Sequence, residues 1–474
     1  MAGTMRFCPD RPVAWRPSFA AMLEKAPSEH DRTQRQPCLP TDAPEAARRR
    51  RREIIVSLAV FVVVLAAHAT SSNRTSWDSR WTIHTALSIL HHGRTDLDEY
   101  EPALKTVDYY FVDRVGGRLY NRYPIGSSLV ALPFVWVVDQ TGGWFGYDLT
   151  EAARRGVPED LEMRIASILV ALTSVIIYRI GRRQLGVAYS LAAAGIFALG
   201  TSAWSTASRA CWGHTPTILM LSVGLWMMLR AKDRPIWAGL AAGPLALAIL
   251  CRPTNLIPMA LLGLYVLLRH RRQFPLFAAI LLAIGAVFVA YTHATYGQWF
   301  STYYQSPTLR EESHFWEALA GQLISPNRGL LIASPILLLA PVGMYLGLRR
   351  RRLTLLEGLA AVAILLHWLV ISYWPWWWGG HCQGPRLWTD MLPFMMVFVI
   401  ACLAGIEQSV GGRKTIAIIA AGVLMLASFG VHWSLANRRE TMSWNIKRPD
   451  GTKANVDRQP WRVWDWRDVQ FLRR

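Results

Sequence analysis

Apolar runs punctuated by clusters of arginine and lysine constrain this chain more than any other feature. Six such clusters, Arg48–Arg52, Arg179/Arg182/Arg183, Arg230/Lys232/Arg234, Arg269/Arg271/Arg272, Arg349–Arg352 and Arg413/Lys414, stand beside apolar stretches. Together they hold more basic residues than the whole net excess of +19. On a soluble domain that charge would point to nucleic acid. Basic clusters at the ends of apolar runs instead mark the cytoplasmic loops of a membrane protein. With 474 residues, 52 % of them hydrophobic, the chain is long enough for many spans. The expected class is an all-α polytopic membrane protein.

Residues 1–47 mix Pro, Arg, Ser, Glu and Thr without periodicity, so 1–52 reads as a disordered basic cytoplasmic tail. Eleven spans are then expected: Ile54–Ala69, Leu161–Ile180, Val187–Trp204, Thr215–Leu229, Pro235–Cys251, Thr254–Leu268, Phe274–Tyr291, Gly329–Leu348, Leu353–Ile371, Met391–Ile406 and Thr415–His432. The transmembrane domain covers 53–435, and 436–474 is a short outer tail too small for a core of its own. After Arg48–Arg52 the next of these clusters comes only at Arg179, so residues 70–160 are expected to form an outer loop. Within it, Ile125–Val138 is nearly all apolar, but counting it as a span would turn the next five clusters outward. Pro124–Val138 is therefore read as a helix lying in the membrane interface.

A first interfacial helix is expected in Thr75–Leu90. Ile83, Ala86, Leu87 and Leu90 recur at helical spacing on one side, and Arg80, His84, Ser88 and His91 form a polar stripe on the other. Its start sets Asp78 between Trp77 and Trp81. Two roles are open to Asp78: a catalytic carboxylate at the membrane surface, or a helix cap accepting a first-turn N–H.

Several cations stand on the side that topology disfavours. Arg252, Arg328 and Arg386 lie at outer span ends, and Arg122 and Arg209 also face outward. A guanidinium fork suits phosphate oxygens, so the group is read as a lipid-phosphate site. Each arginine alone would equally pair with a carboxylate or snorkel. His214, in Trp212-Gly213-His214, would bind substrate, shuttle a proton or bond a backbone carbonyl. The loop Trp374–His381 would stack on sugar or form an aromatic belt. Asp96, Asp98 and Glu99 resemble a divalent-metal site, but solvated loop acids are the preferred reading. No cysteine pair has C-x-x-C spacing, and Cys211 and Cys382 are read as buried thiols in preference to a disulfide.

In this order, the blocks Trp77-Asp78-Ser79-Arg80, Asn121-Arg122-Tyr123-Pro124, Trp212-Gly213-His214, Arg252-Pro253-Thr254, Asn327-Arg328-Gly329-Leu330 and Gly380–Arg386 resemble the GT-C membrane glycosyltransferases that use a polyprenyl-phosphate sugar donor, similar to protein O-mannosyltransferases and aminoarabinose transferases. The resemblance implies that Asp78 is the catalytic first-loop acid and that Arg122 contacts the donor phosphate; Arg252, Arg328 and Arg386, read above from their placement, are expected to bind that phosphate too. Arg80, Trp212, His214 and His381 are then expected to bind substrate. Ser79 replaces the second of two adjacent acids found in many relatives, and 205–214 offers His214 in place of an acid. No metal ligand is therefore assigned, and a divalent metal is not favoured. The expected activity is inverting transfer of the sugar to an acceptor on the outer face of a bacterial inner membrane. The rival is a transporter or flippase for an anionic lipid or glycan, which should place its charges near the midplane and show inverted halves.

Overall fold

The structure is a computed structural model and describes residues 42–74, 77–305, 314–351 and 353–473. It is nearly all helical. Thirteen principal helices run in order: α1 Asp42–Ala69, α2 Thr82–His92, α3 Gly126–Thr141, α4 Glu159–Gly181, α5 Val187–Leu199, α6 His214–Arg230, α7 Ala242–Cys251, α8 Leu256–Arg269, α9 Phe274–Tyr296, α10 Leu339–Arg349, α11 Leu355–Ser372, α12 Leu392–Glu407 and α13 Gly411–Asn437. The one sheet among the described residues is an antiparallel hairpin, β1 Val112–Val115 with β2 Arg118–Asn121, in the segment before α3.

Among the described residues, six helices are long and apolar enough to cross a bilayer: Glu45–Ala69, Glu159–Gly181, Arg271–Tyr296, Leu355–Ser372, Arg386–Glu407 and Gly411–Asn437. Val187–Leu199 with Ser202–Arg209 makes a seventh candidate, bent by 42°. The eleven expected spans are thus not all continuous. Ile236–Cys251, Pro253–Arg269 and Pro335–Arg349 are shorter apolar helices. Prolines and glycines cut these runs below the length of about 20 residues that a bilayer core requires. Of the expected disordered tail, 1–41 lies outside the described residues, while 42–52 already belong to α1.

The core runs between α4, α5, α6, α7 and α12, where residues such as Phe197, Ile218 and Phe394 are fully buried. Helix α1 packs along α4, and α10 lies so close to α12 that a Cβ at Gly343 would overlap the backbone of Phe398. Helix α2 departs from the half-exposed interfacial helix expected. Every residue from Thr82 to Ser88 is buried, because α3 and the segment Leu149–Gly156 pack over the helix, although His91 at the end of the polar stripe stays exposed. His84 Nε2 donates to the carbonyls of Ala153 and Gly156, both at 3.0 Å. Trp81 is buried rather than anchored at a surface, and its indole N–H bonds the Tyr110 carbonyl. Helix α3 does keep an exposed apolar side, with Trp136 and Val137 facing out.

Segments distant in sequence meet at one end of the bundle. Asn73 bonds the carbonyls of Ala436 and Leu435, Tyr296 reaches the Asn121 carbonyl, and Trp464 reaches Glu317. The tail 436–473 is docked there. Trp444, Val456 and Val463 pack against Ala318, Trp377 and Trp378. Arg328 stands inside this contact, 2 % exposed. Its donors go to the carbonyls of Trp378, Asn327 and Gly380 and to the side-chain oxygens of Gln470 and Asn445. Arg328→Ala leaves those acceptors unpaired, and each buried acceptor left unmet costs about 1–3 kcal/mol. The expected outcome is a lower thermal midpoint together with protease cleavage within 440–470 under conditions that spare the parent. A variant whose tail stays resistant would show that Arg328 does not hold it.

Candidate functional site

The site is assembled at that same end from four chain segments. Helix α6 starts at His214, and Arg252 occupies the break between α7 and α8 in extended conformation. Two glycines let the chain close in there. A Cβ at Gly126 would lie 2.3 Å from the backbone of Leu250, and one at Gly213 would lie 2.8 Å from both the Arg252 side chain and the Cys251 carbonyl. The third segment is the loop ahead of α12, whose Gly379, Gly380 and Gly384 have φ of 77°, 68° and 66°, a region that favours glycine. It delivers Arg386 and Asp390. The fourth is the turn before α2, which delivers Asp78.

His214 is the hub. Its Nδ1 lies 2.8 Å from Asp390 Oδ1, while Arg252 Nη1 and Arg386 Nε approach its Nε2 at 3.1 and 3.2 Å. Guanidinium N–H groups only donate, so Nε2 must accept and Nδ1 must carry the proton. The network therefore assigns a neutral imidazole. Arg252 also forms an ion pair with Asp390, Nε to Oδ2 at 2.8 Å, although the approach is off-axis for a hydrogen bond. Arg386 lies face-on over Trp212, 3.7 Å from the ring, and donates to Asp78 and to the Gly379 carbonyl.

Asp78 does not cap α2: Trp81 holds the cap position, with no side-chain cap bond. Asp78 instead accepts from Arg386 and, at 2.9 Å, from the Tyr123 hydroxyl. Burial pushes its carboxyl up, but the Arg386 guanidinium, reinforced by both hydrogen bonds, holds it below the ordinary aspartate range. Burial and the Asp78 charge drive Tyr123 far above the usual phenol range, so it stays a donor. Tyr123 stacks on Phe111 and meets Tyr303 at 5.9 Å, which gives the mouth of the site an aromatic side.

Five of the expected site residues, Asp78, Trp212, His214, Arg252 and Arg386, are thus brought together. The others are placed elsewhere. Arg122 pairs with Asp113 at 2.7 Å on the hairpin, and its side chain is 41 % exposed. Arg80 lies over Trp77, 4.3 Å from the ring. Arg328 and His381 belong to the tail contact, His381 through Asn455 and Asp457. Arg209, another outward arginine, is buried and bonds the carbonyls of His68 and Trp204. Asp96, Asp98 and Glu99 diverge: Asp96 pairs with Arg94 and Arg118, Asp98 accepts the Leu119 N–H, and Glu99 meets His92 and Arg154. Among the described residues, no group of three or more His, Cys, Asp or Glu side chains could hold a metal ion. Cys211, Cys251, Cys382 and Cys402 are free and buried.

Asp390 and Tyr123 were missed as site residues. Asp390 carries a readable signal, because Arg386 and Asp390 stand four apart just ahead of an apolar run.

Residues 155–299 match the family model of the dolichyl-phosphate-mannose-protein mannosyltransferases, a GT-C superfamily domain. That family is one of membrane glycosyltransferases with lipid-linked sugar donors. The matched segment contains Trp212, His214 and Arg252, while Asp78 and Arg386 lie outside it. No curated protein matches the chain.

The Arg252–Asp390 contact differs in burial from the Arg155–Glu151 pair, whose side chains are 78 % and 42 % exposed, and that decides their weight. Removing one partner of a buried pair costs about 3–5 kcal/mol, whereas an exposed pair is worth about 0–1 kcal/mol. Asp390, fully buried, should therefore lower the thermal unfolding midpoint clearly when changed to Asn, and Arg155→Ala should barely move it. Equal shifts would contradict this ranking.

Proposed function

We propose that the chain transfers a sugar from a polyprenyl-phosphate donor to an acceptor hydroxyl, with inversion at the anomeric carbon, on the outer face of the membrane. The observation that carries this reading is the convergence of Arg252 and Arg386 on one neutral imidazole beside Asp78. Two guanidinium groups fixed side by side can hold the phosphate of a lipid-linked donor through paired N–H···O bonds. In the transfer, the acceptor oxygen bonds the anomeric carbon as the bond from that carbon to the phosphate oxygen breaks. The electron pair leaves with the phosphate, and the arginines stabilise the charge that develops there. Asp78 accepts the acceptor's proton.

His214 acts as a positioning residue, since it holds both guanidinium groups while Asp390 fixes its tautomer. Tyr123 and Tyr303 offer ring faces to a sugar. The outer orientation is supported by the basic clusters at the opposite end, where Glu53 meets Arg179 and Arg182 and Arg183 meets Asp233. A bacterial inner membrane remains the preferred setting.

Incubation of the purified chain with a panel of polyprenyl-phosphate sugars should yield a transferred sugar and free polyprenyl phosphate. Arg386→Ala should lower kcat/KM by about a hundredfold or more, and Arg386→Lys should recover only part because the planar fork is lost. No turnover with any member of the panel, or full turnover without Arg386, would sink this reading. Orientation is checked separately: single cysteines placed at Ser72 and Thr452, both exposed, should react with an impermeant reagent added outside. Protection of either position would reverse the assignment.

A further inference from the structure

Two arginines and two aspartates meet around an uncharged His214, so the charges of these side chains already balance. A polyprenyl-phosphate sugar brings one more negative charge. Leaving a buried anion without a counter-charge is far costlier than changing its partner. One of the two carboxylates must therefore give up its guanidinium when the donor arrives.

The two carboxylates are not equivalent. Asp390 is fully buried and committed to both His214 and Arg252. The Asp78 side chain is 22 % exposed, and that of its partner Arg386 is 13 % exposed. Asp78 also retains the Tyr123 hydroxyl when the guanidinium leaves. Arg386 is built to change acceptors: Trp212 supports its flat face and His214 holds its Nε, so the donors on its outer edge can turn from one oxygen to another. We infer that the donor phosphate takes Arg386 from Asp78, so that donor binding itself releases the carboxylate that serves the acceptor. This exchange rests on the donor reading above.

The exchange orders the reaction. In the empty site Asp78 is held by a cation and is a weak base. Once Arg386 turns to the phosphate, the influence that held the carboxyl down is gone and Asp78 becomes more basic beside the bound sugar. Acceptor activation then waits for the donor.

The competition between Asp78 and phosphate for one guanidinium has a consequence that a supporting role for Asp78 would not have. Polyprenyl monophosphate in lipid nanodiscs is the probe, with the full chain as receptor and the uncharged polyprenol as control. Asp78→Asn removes the competing anion and should bind the probe about tenfold more tightly than the parent, while losing transfer. Asp78→Ala, which leaves no side-chain acceptor, should gain similarly. Polyprenol binding should not change. Adding Arg386→Ala to Asp78→Asn should abolish the gain, leaving the double variant equal to Arg386→Ala alone. Parent binding that both Asp78 variants leave equal or weaker overturns the exchange and spares the donor reading. A parent that does not bind polyprenyl phosphate overturns both.

Discussion

A neutral imidazole between two guanidinium groups is the contact on which the functional end of this protein depends. His214 can accept from Arg252 and Arg386 together only while Nε2 lacks a proton. Burial and the two guanidinium charges oppose a second proton, and Asp390 fixes the tautomer by accepting the Nδ1 N–H in a bond of 2.8 Å. Two like charges so close would repel strongly in a partly dry site, but Asp78 and Asp390 supply the two opposing charges. The network also joins four segments far apart in sequence. The start of α6, the break between α7 and α8, the loop ahead of α12 and the turn ahead of α2 are fixed relative to one another by this set of side chains.

The docked tail supports the same arrangement from behind. Gln470 accepts from Arg328 and from the Gly384 N–H, and it donates to the carbonyls of Cys382 and Thr441. Those bonds hold the glycine-bearing loop two residues before Arg386. Flexible backbone at Gly379, Gly380 and Gly384 would otherwise leave Arg386 poorly placed, since each added freedom must be removed when a ligand binds. The tail thus acts on the site through backbone order rather than through contact with a substrate.

What could be read beforehand follows from which signals sequence carries. Arg252 and Arg386 were visible because cations at outer span ends contradict the usual topology, and Asp78 because an acid stood between tryptophans at the head of an apolar-faced helix. Arg328 gave the same signal, yet its side-chain partners are Gln470 and Asn445, in a tail whose polar residues look like ordinary solvated ones. Only three-dimensional docking tells an arginine that faces other charged side chains from one that binds carbonyls. The apolar runs located the helices well, but their number of crossings was less legible. Prolines and glycines divide Ile236–Cys251, Pro253–Arg269 and Pro335–Arg349 into pieces whose length does not settle how they sit in a bilayer. The burial of α2's polar stripe was also out of reach, because the carbonyls that receive His84 come from residues 69 and 72 positions away.

The position of Asp78 exposes a conflict that any base in such a site must resolve. A carboxylate must be ionised to accept a proton, and the nearby guanidinium ensures that it is. The same cation makes the carboxylate reluctant to take the proton, since protonation would forfeit the ion pair. A fixed arginine would therefore guarantee charge at the expense of reactivity. A shared arginine resolves the conflict, provided that its alternative acceptor arrives with the substrate. Arg386 has the geometry for sharing: an aromatic face beneath it, a neutral nitrogen holding one edge, and a single carboxylate on the other. Arg252 does not, because a wholly buried Asp390 pins it in place. On the proposed exchange, the asymmetry between the two arginines, one anchored by Asp390 and one free to change acceptors, is what would let a charge-balanced site accept an anion and gain a base in the same step.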